Sequence, residues 1–164
     1  MRNVDRETFA ALVADHAGII RKVATTYCRD AEDRADLAQE ILAQLWAAWP
    51  RYDRERPFPT WLYRVALNVA ISHVRGVYRA QRHFEPLSED HHAVAAAPVD
   101  HEANDELALL QDVIAELDQL SRALLLLYLD ERSHREIAEI LGISESNVGT
   151  KINRLKQRIR ARLA

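Results

Sequence analysis

Asn147, Thr150, Lys151, Arg154 and Arg158 recur at spacings of three and four near the C-terminus, so a helix would set them on one outward side. An amide, a hydroxyl, an ammonium and two guanidinium groups arranged in this way suit duplex DNA. The first turns can meet base edges while the later arginines reach phosphates. A second stripe holds Trp61, Arg64, Asn68, Ser72, Arg75 and Arg79. It offers a ring for stacking, guanidinium groups for phosphate and an amide for a base edge, the needs of single-stranded or melting nucleic acid. A third group, Asp33, Asp36, Gln39 and Glu40, gathers acids and an amide into one patch, a docking face for a basic partner. Plainer readings compete with each. A charged stripe is most often a solvated face, a tryptophan on it is often half-buried, and acids near a helix start favour the macrodipole. The macrodipole accounts for Glu32 and Asp33 better than for Gln39 and Glu40 in later turns.

Catalysis and metal binding find little support. Paired carboxylates fall only on outward helical faces, no Gly-rich phosphate loop occurs, and Cys28 has no evident His partner. Being the one cysteine, Cys28 permits no internal disulfide and reads as a small buried residue. His91, His92 and His101 lack a fixed spacing on a helix, so neither a metal nor a cofactor is expected.

The elements that must position these residues are helices. Ser133 opens a Ser-x-x-Glu capping box with Glu136, and Ile137, Ala138, Ile140 and Leu141 give a short helix one apolar face. Gly142 can end it in the left-handed conformation, Ile143 can plug the corner, and Ser144 can cap the next helix. Val148, Ile152, Leu155 and Ile159 then face inward. This is a helix-turn-helix with a basic tail: from Glu145 to the end there are six Lys or Arg and one acid.

Upstream, Phe9, Leu12, Val13, His16, Ile19, Ile20, Val23 and Tyr27 predict one long amphipathic helix over residues 5–28. A second runs from Ala31 to Trp49, stopped by Pro50, with Leu37, Ile41, Leu45 and Ala48 inward. The loop PRYDRERPFP follows, and Thr60 is expected to cap a third helix with Leu62, Val65, Val69 and Ala70 on the core. Residues 84–106 hold seven acids, three histidines, two prolines and no Lys or Arg, which reads as an extended acidic linker. Beyond it, Leu107, Leu110, Ile114 and Leu117 begin one helix and Ala123 to Leu129 fill another, with a break near Asp118 to Ser121.

The fold class is therefore all-α: two small helical domains joined by an acidic linker, the C-terminal one a four-helix helix-turn-helix domain. Boundaries fall at residues 1–82, 83–105 and 106–164. At 164 residues and 48% hydrophobic the chain can bury one medium core or two small ones. The net charge of −3 conceals its distribution, since the C-terminal helix is positive and the linker negative. No stretch approaches the ~20 apolar residues of a membrane span, and MRNVDRETF lacks the apolar core of a signal peptide, so a cytoplasmic protein without membrane insertion is expected.

Three stretches carry a family resemblance: DRADLAQEILAQLW at Asp33 to Trp46, RPFPTWLYRVALNVAISHVR at Arg56 to Arg75, and REIAEILGISESNVGTKINRLKQRIR at Arg135 to Arg160. In order, separation and total length the chain resembles bacterial RNA polymerase sigma factors of the extracytoplasmic-function (ECF) group. The resemblance implies that Asp36, Gln39 and Glu40 dock on the beta-prime clamp helices of core RNA polymerase. It implies that Arg56, Phe58, Trp61, Arg64, Asn68, Ser72 and Arg75 open the minus-ten promoter element and capture its bases. Ser144, Ser146, Asn147, Thr150, Lys151, Arg154 and Arg158 would form the recognition helix for the minus-thirty-five element. The beta flap and an anti-sigma factor are further implied partners, and the linker would thread toward the polymerase cleft. Some positions depart from the pattern: Leu117-Asp118 replaces the usual Leu-Pro, Ser72 a frequent Asp, and Ser146-Asn147 a common Gly-Thr, while Gly149 sits inside the helix. A stand-alone helix-turn-helix regulator with a sensing or dimerising helical domain is the other reading. Such a regulator has no need of the acidic docking face together with an aromatic and arginine stripe.

Overall fold

The computed structural model describes residues 2–83 and 101–164, with side chains placed for residues 5–76 and 105–164. Its elements are α1 (Arg2–Asp15), α2 (Ala17–Tyr27), α3 (Ala31–Ala48), a 3₁₀ turn (Trp49–Arg51), α4 (Phe58–His83), α5 (His101–Glu116), α6 (Gln119–Leu129), α7 (His134–Leu141) and α8 (Glu145–Leu163). Among the described residues there is no strand.

The single helix predicted over residues 5–28 is two helices. At His16 (φ −117°, ψ 19°) the backbone leaves the helical region, and its N–H is shared between Leu12 O and Val13 O, each at 3.2 Å. The ring turns back so that Nδ1 donates to Leu12 O at 2.9 Å, and Gly18 just beyond adds low helix propensity. The apolar spacing runs through the break because both segments face one core. Phe9, Leu12 and Val13 pack on it from α1, while Ile19, Ile20 and Val23 of α2 are buried.

Asp30 caps α3, its carboxylate accepting from Glu32 N at 3.2 Å, and Leu37, Ile41 and Leu45 are fully buried along its inner face. α4 begins at Phe58, before the expected cap. Pro59 falls in its first turn, where a missing N–H leaves no bond unmade, and Thr60 is a buried residue inside that turn. Its core face is Leu62, Tyr63, Ala66, Leu67 and Ala70, with Val65 and Val69 only partly covered. The inner stripe is thus rotated from the expected one because helices pack on both sides of it.

In the second half, α5 starts at His101, so residues 101–105 are helical where an extended linker was expected. Residues 84–100, with His91 and His92, lie outside the described residues, as do the side chains of Arg79 and His101. The α5–α6 corner falls at Leu117 and Asp118. It is held by Arg122, whose guanidinium donates to Ile114 O, Leu117 O and Ala115 O at 3.0, 3.2 and 2.8 Å. Ile114 and Ala115 lie in the last turn of α5 and Leu117 just past it, where helical carbonyls lack the donors of a next turn; Ile114 O also accepts from Leu117 N at 3.1 Å. Ala123 to Leu127 are all buried, whereas Leu129 is 62% exposed.

α2, α3 and α4 pack together, α6 and α7 pack on α8, and the two halves meet where α4 touches α7 and α2 touches α6. One continuous hydrophobic cluster runs from Ile19 to Leu155 across both halves.

Candidate nucleic-acid interface

The helix-turn-helix forms as its residue types require. Ser133 Oγ accepts from Glu136 N at 3.1 Å, and Ser144 Oγ accepts from Asn147 N at 3.1 Å. Between them Gly142 takes φ 70°, the left-handed conformation that closes α7, and its N–H reaches Ala138 O at 2.9 Å. Val148, Ile152 and Leu155 are buried, which fixes how α8 is rotated about its axis. Ser144, Ser146, Asn147, Thr150, Arg154 and Arg158 are exposed. Lys151 is half-buried. With Arg154 and Arg158 it lines a groove whose other wall carries Glu116, Asp118 and Ser121, so this basic row flanks the core rather than opposing it. Further along, Arg162 and Glu116 form an exposed ion pair that lowers the carboxyl's proton affinity.

On α4 the polar stripe also forms. Arg64, Asn68, Ser72 and Arg75 are exposed along one side of the helix. Trp61 and Phe58 behave differently from the expectation that they face a strand. Phe58 is buried, and Trp61 is half-buried in an aromatic cluster with Trp49, Tyr52 and Phe58, its ring centroid 4.7 Å from that of Tyr52. The reason is the preceding loop. Tyr52 stacks on Trp49 and donates its hydroxyl to Arg56 O at 2.6 Å, which draws the loop over both rings. Arg54 lies 5.7 Å from the Trp49 centroid and pairs with Asp5 at 2.9 Å, while Arg56 stays exposed near Asp53. Tyr52 and the exposed Arg51 and Arg54 escape sequence reasoning, because a loop has no period to mark which side chains share a face.

On α3, Asp36, Gln39 and Glu40 are exposed together, as the spacing predicts. Glu40 Oε2 meets His73 Nδ1 of α4 at 2.9 Å. A hollow lined by Glu40, Gln44, Asn68, Ser72 and His73 therefore joins the acidic face to the α4 stripe. Trp46, 45% exposed on the same helix, carries no signal in the sequence beyond its type.

Two family models match: sigma-70 region 2 over residues 12–82 and sigma-70 region 4 over residues 107–159. The chain is 30% identical to the ECF RNA polymerase sigma factor SigW of Bacillus subtilis, over 97% of this chain and 90% of that one. It belongs to the ECF RNA polymerase sigma factors. The sigma factor CnrH of Cupriavidus metallidurans is 27% identical over 97% of this chain and 88% of its own. The solved structure of CnrH in complex with the cytosolic domain of CnrY superposes with a TM-score of 0.71 at 25% identity, covering 96% and 88% of the two chains. The sigma factor RpoE of Bartonella quintana, solved with the anti-sigma factor NepR, shares the fold with a TM-score of 0.72 at 17% identity, over 99% and 98%.

As an ECF sigma factor, the chain is a promoter-specificity subunit of RNA polymerase and not an enzyme; its partners are core RNA polymerase and promoter DNA. This sets aside the stand-alone regulator. Among the described residues no helix is long and apolar enough to cross a membrane.

Proposed function

We propose that this sigma factor divides its work between its first half, through α4, which docks on core polymerase and holds opened minus-ten DNA, and its second half, from α5, which binds the minus-thirty-five duplex, the chain between α4 and α5 joining them. The observation that carries this reading is that the acidic α3 face, the α4 stripe and the first turns of α8 are all exposed while their opposite faces are buried.

Asp36, Gln39 and Glu40 meet the beta-prime clamp helices. Arg56, Arg64, Asn68, Ser72 and Arg75 contact the opened strand, with Phe58 positioning the loop from beneath and Trp61 offering an edge of its ring. Ser144, Ser146, Asn147 and Thr150 approach base edges, and Lys151, Arg154 and Arg158 approach phosphate. The second half also meets the beta flap. The protein acts in the cytoplasm, where core polymerase and promoter DNA are found together. An anti-sigma factor fits as a further partner, since the Bartonella RpoE was solved with the anti-sigma factor NepR bound and CnrH with the cytosolic domain of CnrY.

Run-off transcription with core polymerase on a promoter library tests the reading. Promoter-dependent transcripts with a shared pair of upstream elements are expected, and a chain that binds core yet yields none would overturn it.

A further inference from the structure

The two halves meet on a polar centre that neither DNA-reading face uses. Asp130, just past α6, accepts from Lys22 Nζ of α2 at 2.5 Å, from Tyr63 Oη of α4 at 2.5 Å, and from Arg132 Nε at 3.1 Å. Its side chain is 14% exposed, and Tyr63 is wholly buried. Arg132 lies 5.3 Å from the Tyr63 ring centroid and reaches Glu136 of α7 at 3.4 Å, so the centre ties α2, α4 and α7 together. Glu131, between the two, adopts φ 57°, the left-handed region, to turn Arg132 back onto it. A second seam lies at the other end of α6, where Tyr27 Oη donates to Gln119 O at 2.9 Å and Arg29 pairs with Asp112 at 2.7 Å.

A covered carboxylate with its hydrogen bonds filled adds less stability than apolar packing does, but it accepts one geometry only. The halves are thus held in a single register instead of sliding on an apolar face. Closure does not cover the DNA-reading residues, since the α4 stripe and most of the α8 site stay exposed. What it fixes is their separation. Elements named for positions minus ten and minus thirty-five lie ~25 base pairs apart, about 85 Å at ~3.4 Å per pair along DNA that is stiff over that length. A compact chain of 164 residues is only about 40 Å across.

We infer that Asp130, engaged by Lys22, Tyr63 and Arg132, is a latch that holds the free sigma factor closed, with its two DNA-reading faces too near each other to span a promoter. Its release precedes loading. The gating consequence rests on the division of work proposed above; the closure itself does not.

The test places spin labels at the exposed positions Glu7→Cys and Gln157→Cys in a Cys28→Ala full-length chain and measures the distance between them. The unsubstituted latch gives a narrow, short distance as its main population. Tyr63→Phe and Asp130→Asn each move the population to a broad, longer distribution, as does Lys22→Gln, which leaves the buried packing untouched and guards against misfolding of the other two. With an open fraction of about one-tenth in the starting protein, the opened variants load onto core polymerase and a library-selected promoter at about tenfold lower concentration. A broad distribution before any substitution, or one unchanged by all three, would overturn the latch, and opening without tighter loading would remove its gating role. The distances need neither DNA nor polymerase, so a failure of the starting protein in run-off transcription would count against the functional reading alone.

Discussion

Gly142 and Gly149 lie on either side of the start of α8, and their opposite conformations give opposite expectations. Gly142 has φ 70° with nothing within 4 Å of an added Cβ, so the cost of Gly142→Ala is the left-handed backbone itself, about 1–2 kcal/mol. Gly149 lies within α8, and an added Cβ would meet only the His134 ring at 3.8 Å, an ordinary contact. Gly149→Ala should therefore stabilise the protein by roughly 0.5–1 kcal/mol. Urea unfolding midpoints should move in opposite directions, and movement in the same direction would show the turn assignment wrong. At Cys28, burial first and Asp33 second push the thiol up to about 11. Iodoacetamide at pH 8 is expected to label it slowly in the folded chain and quickly in urea; equal rates would mean that the thiol is open to solvent.

At the scale of the element, α3 and α8 each present a face whose chemistry differs from its buried side. On α3, Asp36→Arg with Glu40→Arg reverses the charge of the proposed docking face. The only described partner lost is the exposed pairing of Glu40 with His73, worth ~1 kcal/mol or less. Core binding should fall about a hundredfold or more through like-charge repulsion, with circular dichroism unchanged; core binding equal to the starting protein would end the docking assignment. On α8, Asn147→Ala should change which base pair is preferred by about 1–3 kcal/mol, whereas Arg158→Ala should weaken all sequences alike and reduce the salt slope by about one. Identical effects of the two on every sequence would exclude base reading by Asn147.

For the molecule as a whole, closure is tied to the ionisation of one carboxylate. Partial burial opposes the charge on Asp130, but hydrogen bonds from Lys22, Tyr63 and Arg132 outweigh it and hold the carboxyl below its usual range. A lowered folded-state pKa means a contribution that is present above the ordinary carboxylate range and lost as pH falls through the folded value. The groups facing it are Lys22, Arg132, whose proton Asp130 holds more firmly, and Tyr63, whose phenol burial pushes up so that it stays neutral through that range. Glu136, one step away on Arg132, is the other carboxylate of the centre. Acidification should therefore open the molecule, read as a lengthening of the Glu7–Gln157 label distance, with a flat response near neutrality. Asp130→Asn should remove the dependence, and a dependence that survives the substitution would assign the titration elsewhere.

Helical periodicity, caps and composition determined much of this protein before any packing was known. Ser133, Gly142 and Ser144 specify their corner through bonds within a few residues, and the exposed faces of α3, α4 and α8 follow from spacing alone. Family membership was legible because three such local motifs occur in order. Interactions that depend on distant chain segments were not legible. The break at His16 leaves the apolar spacing intact, so no period reports it. Phe58 and Trp61 are typed as stacking rings but are claimed by Tyr52 and Trp49, which reach them only once the loop has folded over. Asp130 sits in a turn and reads as a solvated acid; Lys22 and Tyr63 lie 108 and 67 residues away in the chain. The tertiary structure alone turns it into the centre that joins the halves, because a hydrogen-bonded carboxylate depends on what surrounds it in space and not on its neighbours in sequence.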